Sequence, residues 1–187
     1  CLVIIGAQNA GFEQYDCNDG EGWVGVYRRN GLVVELIQEW QGEMPGAHVG
    51  WGVATDGETV LWREDAVGAT ALLAGDGCYV TEGGTDTIRA FKRMGPTGPF
   101  QEIDPLPQVA YRFEIDGRYA VAHDYLIERI GDSWSTVARL RRSNGAAFDE
   151  FSSWVSMTEQ TVVIGVDRTT TSARCTCSTC LPRRRRT

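Results

Sequence analysis

Val49-Gly50-Trp51-Gly52-Val53, followed by Asp56-Gly57, is the stretch on which the reading of this chain turns, because it recurs. Val109-Ala110-Tyr111-Arg112-Phe113 is followed by Asp116-Gly117, and Phe151-Ser152-Ser153-Trp154-Val155 by Thr158-Glu159. Each is an elbow leading into a turn. Upstream of each elbow, by about 20 residues, lies an arm that ends in glycine. The arms are Val26-Tyr27-Arg28-Arg29-Asn30-Gly31, Ala90-Phe91-Lys92-Arg93-Met94-Gly95 and Leu126-Ile127-Glu128-Arg129-Ile130-Gly131. A repeat of this kind points to an architecture of stacked units, and repeat scaffolds serve many functions.

The units read as strands. Helical periodicity with a cap at each end is missing. Leu2 to Ala7 is a short continuous apolar run, as expected of an inner strand. Trp23 to Arg29 alternates, with Trp23, Gly25 and Tyr27 on one face and Val24, Val26 and Arg28 on the other. Leu32 to Trp40 follows the Asn30-Gly31 hairpin dipeptide; Asp56-Gly57, Asp76-Gly77 and Asp116-Gly117 are further turns of that kind. Thr161 to Val166 echoes Leu2 to Ala7. The excess between the second elbow-arm pair, roughly 66–84, reads as an extra hairpin or a partial repeat. Met94 to Pro107 holds Pro96, Pro99, Pro105 and Pro107 and reads as a surface connection. With 22 Gly and six each of Trp, Tyr and Phe in 187 residues, the composition favours many turns between short aromatic-rich strands.

The arm-plus-elbow unit resembles the FG-GAP repeat of integrin-α-like β-propellers over residues 1–168. The residues that carry the likeness are Trp134 to Leu140 through Ser143 to Phe151 to Thr161-Val162-Val163-Ile164-Gly165-Val166, and, in a first partial copy, Leu2 to Arg29. The resemblance implies an all-β fold, a partial β-propeller built from repeated small antiparallel sheets, with about three to four blades against the usual 4–8. It implies inter-blade packing for the elbow aromatics Trp51, Tyr111, Phe151 and Trp154, and a several-kcal/mol loss for Trp154→Ala. It also implies an extracellular or cell-surface setting, and completion of the ring by more chain or by self-association.

The same resemblance raises calcium, because such propellers carry acidic loops that wrap the ion in alternating oxygen ligands. Asp16, Asn18 and Asp19 are the candidate ligands here. The third ligand place is Gly20, so a solvated acidic turn is the competing reading, and Asp65 and His123-Asp124 stand in shorter, less acidic loops. Cys175-Thr176-Cys177-Ser178-Thr179-Cys180 is compatible with thiolate metal binding or disulfides, without the second cluster a structural zinc requires. Arg183 to Arg186 is compatible with an address, a processing site or a truncated end. Residues 169–187 are expected to form a flexible Cys- and Arg-rich tail.

Other functions find little support. A formal charge of −7 opposes a nucleic-acid partner. No apolar run is long enough for a transmembrane helix, and no signal-peptide pattern is visible. Because the chain opens on what reads as mid-strand, it is expected to be a piece of a longer polypeptide. His48 and His123, the two histidines, lie outside any nucleophile elbow or His-pair motif, and no glycine-rich phosphate loop follows Glu82-Gly83-Gly84. The expectation is a non-enzymatic recognition or adhesion module, with a protein or glycan ligand met at one rim; Trp23, Trp62 and His123 are candidates there. The alternatives are a carbohydrate-binding or carbohydrate-hydrolase-associated propeller, and a structural spacer without a ligand.

Overall fold

The computed structural model describes residues 2–8, 20–44, 46–67, 70–73, 79–82, 85–141, 151–158, 161–166 and 178–180. The chain is all-β and is built from small antiparallel sheets, with no helix among the described residues. The first sheet is β1 (Leu2–Ala7), β2 (Trp23–Asn30) and β3 (Val33–Gln41), in that order. The second is β4 (Val53–Thr55), β5 (Thr59–Val67), β8 (Thr85–Arg93) and β9 (Phe100–Ile103). The third is β10 (Phe113–Asp116), β11 (Tyr119–Ala122), β12 (Tyr125–Ile130) and β13 (Ser133–Arg139). The fourth is β14 (Phe151–Thr158), β15 (Thr161–Val166) and β16 (Ser178–Cys180). A separate hairpin, β6 (Thr70–Leu73) with β7 (Tyr79–Glu82), fills the interval read as an extra hairpin.

Turn chemistry explains the meanders. At Asp56-Gly57 the Asp56 carboxylate accepts from the backbone N–H of Glu58 at 2.9 Å and of Thr59 at 2.6 Å. Thr55 Oγ1 donates to the Thr59 carbonyl at 2.7 Å, which closes the loop between β4 and β5. The arms are β2, β8 and β12, and each ends at a glycine of positive φ: Gly31 at 63°, Gly95 at 82° and Gly131 at 69°. Only a residue without a Cβ adopts that geometry freely, so the arm glycines mark where the chain reverses. The first two elbows lead into β4 and β10 and the third lies within β14; these strands touch one another in sequence across sheets, as β1 touches β4.

The sheets bury one another. Val24, Val26 and Trp40 of the first meet Val60, Trp62, Phe91 and Phe100 of the second. Trp62 stacks on Phe91 with centroids 3.9 Å apart, and Trp40 closes on Trp62 at 4.5 Å. Leu61, Ile88 and Ala90 of the second meet Phe113, Ile115, Ala120, Ala122 and Ile127 of the third. Val121 and Leu126 of the third meet Val162 and Ile164 of the fourth. Polar clasps span the same seams. Gln38 donates to the Phe100 carbonyl at 3.1 Å and accepts from the Phe100 N–H at 2.8 Å. Arg129 donates to Thr59 Oγ1, Lys92 to Asp132 at 2.7 Å, and Ser133 to Asp104 at 2.5 Å.

Two expectations need correction. The segment 94–107 is not only a connection: β9 lies within it as a sheet-edge strand, and Phe100 and Leu106 are buried. The elbow aromatics Trp51, Tyr111 and Trp154 are not inter-sheet core; the Phe151 side chain lies outside the described residues. Trp51 is 36% exposed, Tyr111 63% and Trp154 62%, because the buried places beside them fall to Val49, Ala110 and Phe113. Trp154→Ala therefore removes little buried surface. Of the segment 169–187 only Ser178–Cys180 is described, and it pairs with β15. Asp16, Asn18 and Asp19 lie outside the described residues, as do Cys175, Cys177 and Arg183 to Arg186.

Candidate functional site

The exposed elbow aromatics gather at one rim. The first elbow is pinned to the end of β5: Gly50 N–H donates to the Arg63 carbonyl at 3.1 Å, and Arg63 N–H to the Gly52 carbonyl at 3.0 Å. Gly50 is at φ 85°, and a Cβ there would lie 2.6 Å from the Trp23 carbonyl oxygen, so the approach admits only glycine. The second elbow is tied to the corresponding end of β11, where His123 N–H donates to the Arg112 carbonyl at 3.4 Å. Both histidines stand at positive φ, His48 at 47° and His123 at 56°, where non-glycine residues are uncommon.

Arg63 is the anchor of this rim. Its side chain is 2% exposed, yet it carries a full charge. Nη2 donates to Asp86 Oδ2 at 2.8 Å. Nε lies 2.7 Å from Asp65 Oδ1 but off the hydrogen-bonding line, so that contact is ionic only, and Nη1 meets no hydrogen-bond acceptor. The guanidinium carbon sits 3.8 Å from the Tyr111 ring centroid and 5.7 Å from that of Trp51. The electron-rich ring faces supply part of what the missing acceptor does not. Trp51 and Tyr111 are 6.0 Å apart, and His48 meets Trp51 edge-on at 5.7 Å. His48 Nδ1 is also 3.5 Å from Asp65. Farther along, Arg112 lies over Trp154 at 4.6 Å.

A second polar group stands at the start of β12. Asp124 is buried and accepts from Arg139 Nε at 2.7 Å, and its other oxygen is 2.9 Å from His123 Nδ1. Burial pushes the Asp124 carboxyl up, but the hydrogen bonds from Arg139 and His123 outweigh it and hold the group below its ordinary value. Arg89, bidentate to Glu102 at 2.8 Å and bonded to Glu64 at 3.0 Å, is locked in its charged form by Glu102 first and Glu64 second, against the opposing cost of burial. Burial pushes the Glu114 carboxyl up.

Asp124, Glu64 and Glu102 are engaged by arginine. Asp65, near the end of β5, and Asp124, between β11 and β12, are paired with Arg63 and Arg139. Among the described residues no three His, Cys, Asp or Glu side chains come together to hold a metal. Of the rim candidates from sequence, His123 lies at the rim. Trp62 is buried between sheets, and Trp23 lies half-buried on the first sheet. Sequence reasoning missed Arg63, whose position directly after Leu61-Trp62 gives no sign that it turns inward. It also misassigned Trp51 and Tyr111; the available signal was an aromatic repeated at the same elbow place beside arginine, as in Tyr111-Arg112. Among the described residues no helix is long and apolar enough to cross a membrane. No family model, curated protein or solved structure matches the chain.

Proposed function

We propose that the chain is an arc of an FG-GAP-like β-propeller and serves as a non-enzymatic recognition or adhesion module of a secreted or cell-surface protein. The observation that carries this reading is the run of exposed elbow aromatics, Trp51, Tyr111 and Trp154, set beside guanidinium groups along one rim. Successive sheets of like topology, with first strands in contact, support the arc. Large aromatic rings held in place by cations are ordered before any ligand arrives, so little conformational entropy is lost on binding. Tyr, Trp and Arg are also the residue types that dominate binding energy at interfaces. The ligand is a protein or a glycan.

The test is titration of the chain with panels of soluble glycans and of extracellular proteins, followed by tryptophan fluorescence. Saturable binding that disappears in Trp51→Ala/Tyr111→Ala, with an unchanged melting temperature, is expected. Binding that survives this double variant removes the rim from the account. Absence of binding across both panels favours a structural spacer.

A further inference from the structure

The arginines of the rim differ in how they are neutralised. Arg63 is paired with Asp65 and Asp86, and Arg139 with Asp124. Arg112 is exposed, and among the described residues it has no ion pair and no side-chain hydrogen bond. Its guanidinium carbon lies over the Trp154 ring, 4.6 Å from the centroid. The backbone beneath it is firmly placed. The Arg112 carbonyl accepts from the His123 N–H, and the next residue, Phe113, pairs with Ala122 and is buried.

A guanidinium lying over a ring gives its face to the cation–π contact and keeps its N–H groups in its own plane. Those donors form a fork that matches the two oxygens of a carboxylate. The ring contact therefore holds Arg112 ready without using up its hydrogen-bonding edge. On either side of that charge stand broad apolar surfaces: Trp154 is exposed, and so is Tyr111, the residue before Arg112. Trp51, 6.0 Å from Tyr111, continues the same track. The electron-rich faces of such rings attract the positively polarised C–H groups that line one side of a sugar ring.

We infer that Arg112, with Tyr111 and Trp154, forms a subsite for an acidic glycan, in which the guanidinium takes the carboxylate of a hexuronate and the aromatic rings take the sugar faces. The inference rests on the recognition reading above and narrows its ligand. A uronate carries its carboxylate directly on the sugar ring, so one residue of the glycan supplies both the flat apolar face and the charge that this rim asks for. An aspartate or glutamate side chain supplies the charge alone. The chain as a whole has a formal charge of −7, which repels anions from most of its surface and favours their arrival where an arginine is left uncompensated.

The test titrates the full chain, by calorimetry at low and at high salt, with three probes. Tetragalacturonate carries rings and charge, its methyl ester carries the same rings without charge, and a tetraglutamate peptide carries charge without sugar rings. The wild type should bind the uronate, more weakly as salt rises, and should bind the ester about tenfold more weakly. Arg112→Gln should abolish that preference at an unchanged melting temperature. Arg112→Lys, which keeps the charge and loses the fork, should restore only part of it. Failure to bind the uronate overturns the inference. So do equal binding of uronate and ester, a preference that survives Arg112→Gln, and a peptide bound as tightly as the uronate. Binding of a neutral glycan or a protein that needs Trp51 and Tyr111 but not Arg112 sinks this inference alone and leaves the recognition reading in place.

Discussion

Arg63 is the residue at which burial and charge conflict most sharply. Its guanidinium is held by Asp86 and Asp65 and capped by Tyr111, so removing it takes the arginine from two carboxylates and unroofs an aromatic pair. Arg63→Met should cost about 2 kcal/mol in a denaturant melt, below the usual range for a broken buried pair because Asp86 is 45% exposed. Exposure also separates two tryptophans that look alike in sequence. Trp62→Ala should cost about 3–5 kcal/mol, since its ring stacks on Phe91 and meets Trp40. Trp154→Ala should cost less than about 1 kcal/mol. Similar losses for the two would contradict the inter-sheet seam described for Trp62. Asp124 sets a pH dependence. Its folded-state value is lowered below 3.8, so its stabilisation is fully present above that ordinary value and is lost as pH falls through the lowered one. Asp124→Asn should therefore lose less stability than the wild type between neutral pH and strong acid, measured by thermal melts at each pH.

At the scale of elements, the seams between sheets decide more than the sheets themselves. A three- or four-stranded meander has two faces, and only a neighbour on each side buries both. The Gln38 amide spans one such seam with two hydrogen bonds to the Phe100 backbone. Gln38→Ala should destabilise by about 1–2 kcal/mol, because the Phe100 amide loses its partner near a buried ring, and Gln38→Glu should recover only the accepting half. Strand positions were largely legible in the sequence: β1 and β15 fall where the apolar runs Leu2 to Ala7 and Thr161 to Val166 lie, and the arms are β2, β8 and β12. β9 was hidden because prolines bracket it. Pro96 and Pro99 shape the turn before it and Pro105 the exit, while the strand between needs no proline N–H.

For the whole molecule, protection should follow the depth of each strand within the stack. Hydrogen exchange is expected to be slowest in β5, β8, β11 and β12, which are inner strands of sheets covered on both faces, and fastest at the β2–β3 tip, where Leu32 is 98% exposed. Uniform protection across the chain would mean that the sheets do not stack as independent layers.

The sequence by itself determined the strands, their turns and their repetition, because alternation, Asp-Gly and Asn-Gly turns and arm glycines act over a few residues. It also marked the elbows as special. Only the tertiary structure decided which side of each elbow is covered. Trp51, Tyr111 and Trp154 have the apolar surface to be core, but Ala110 and Phe113 occupy the seam beside the second elbow, and Arg63 takes the interior place below it. Burial is a competition among side chains brought together from distant strands, and local pattern contains no record of who wins it. The same holds for Val121 and Val163: like strand places are buried in the third sheet and exposed in the fourth, because exposure depends on a neighbour brought from a distant part of a chain.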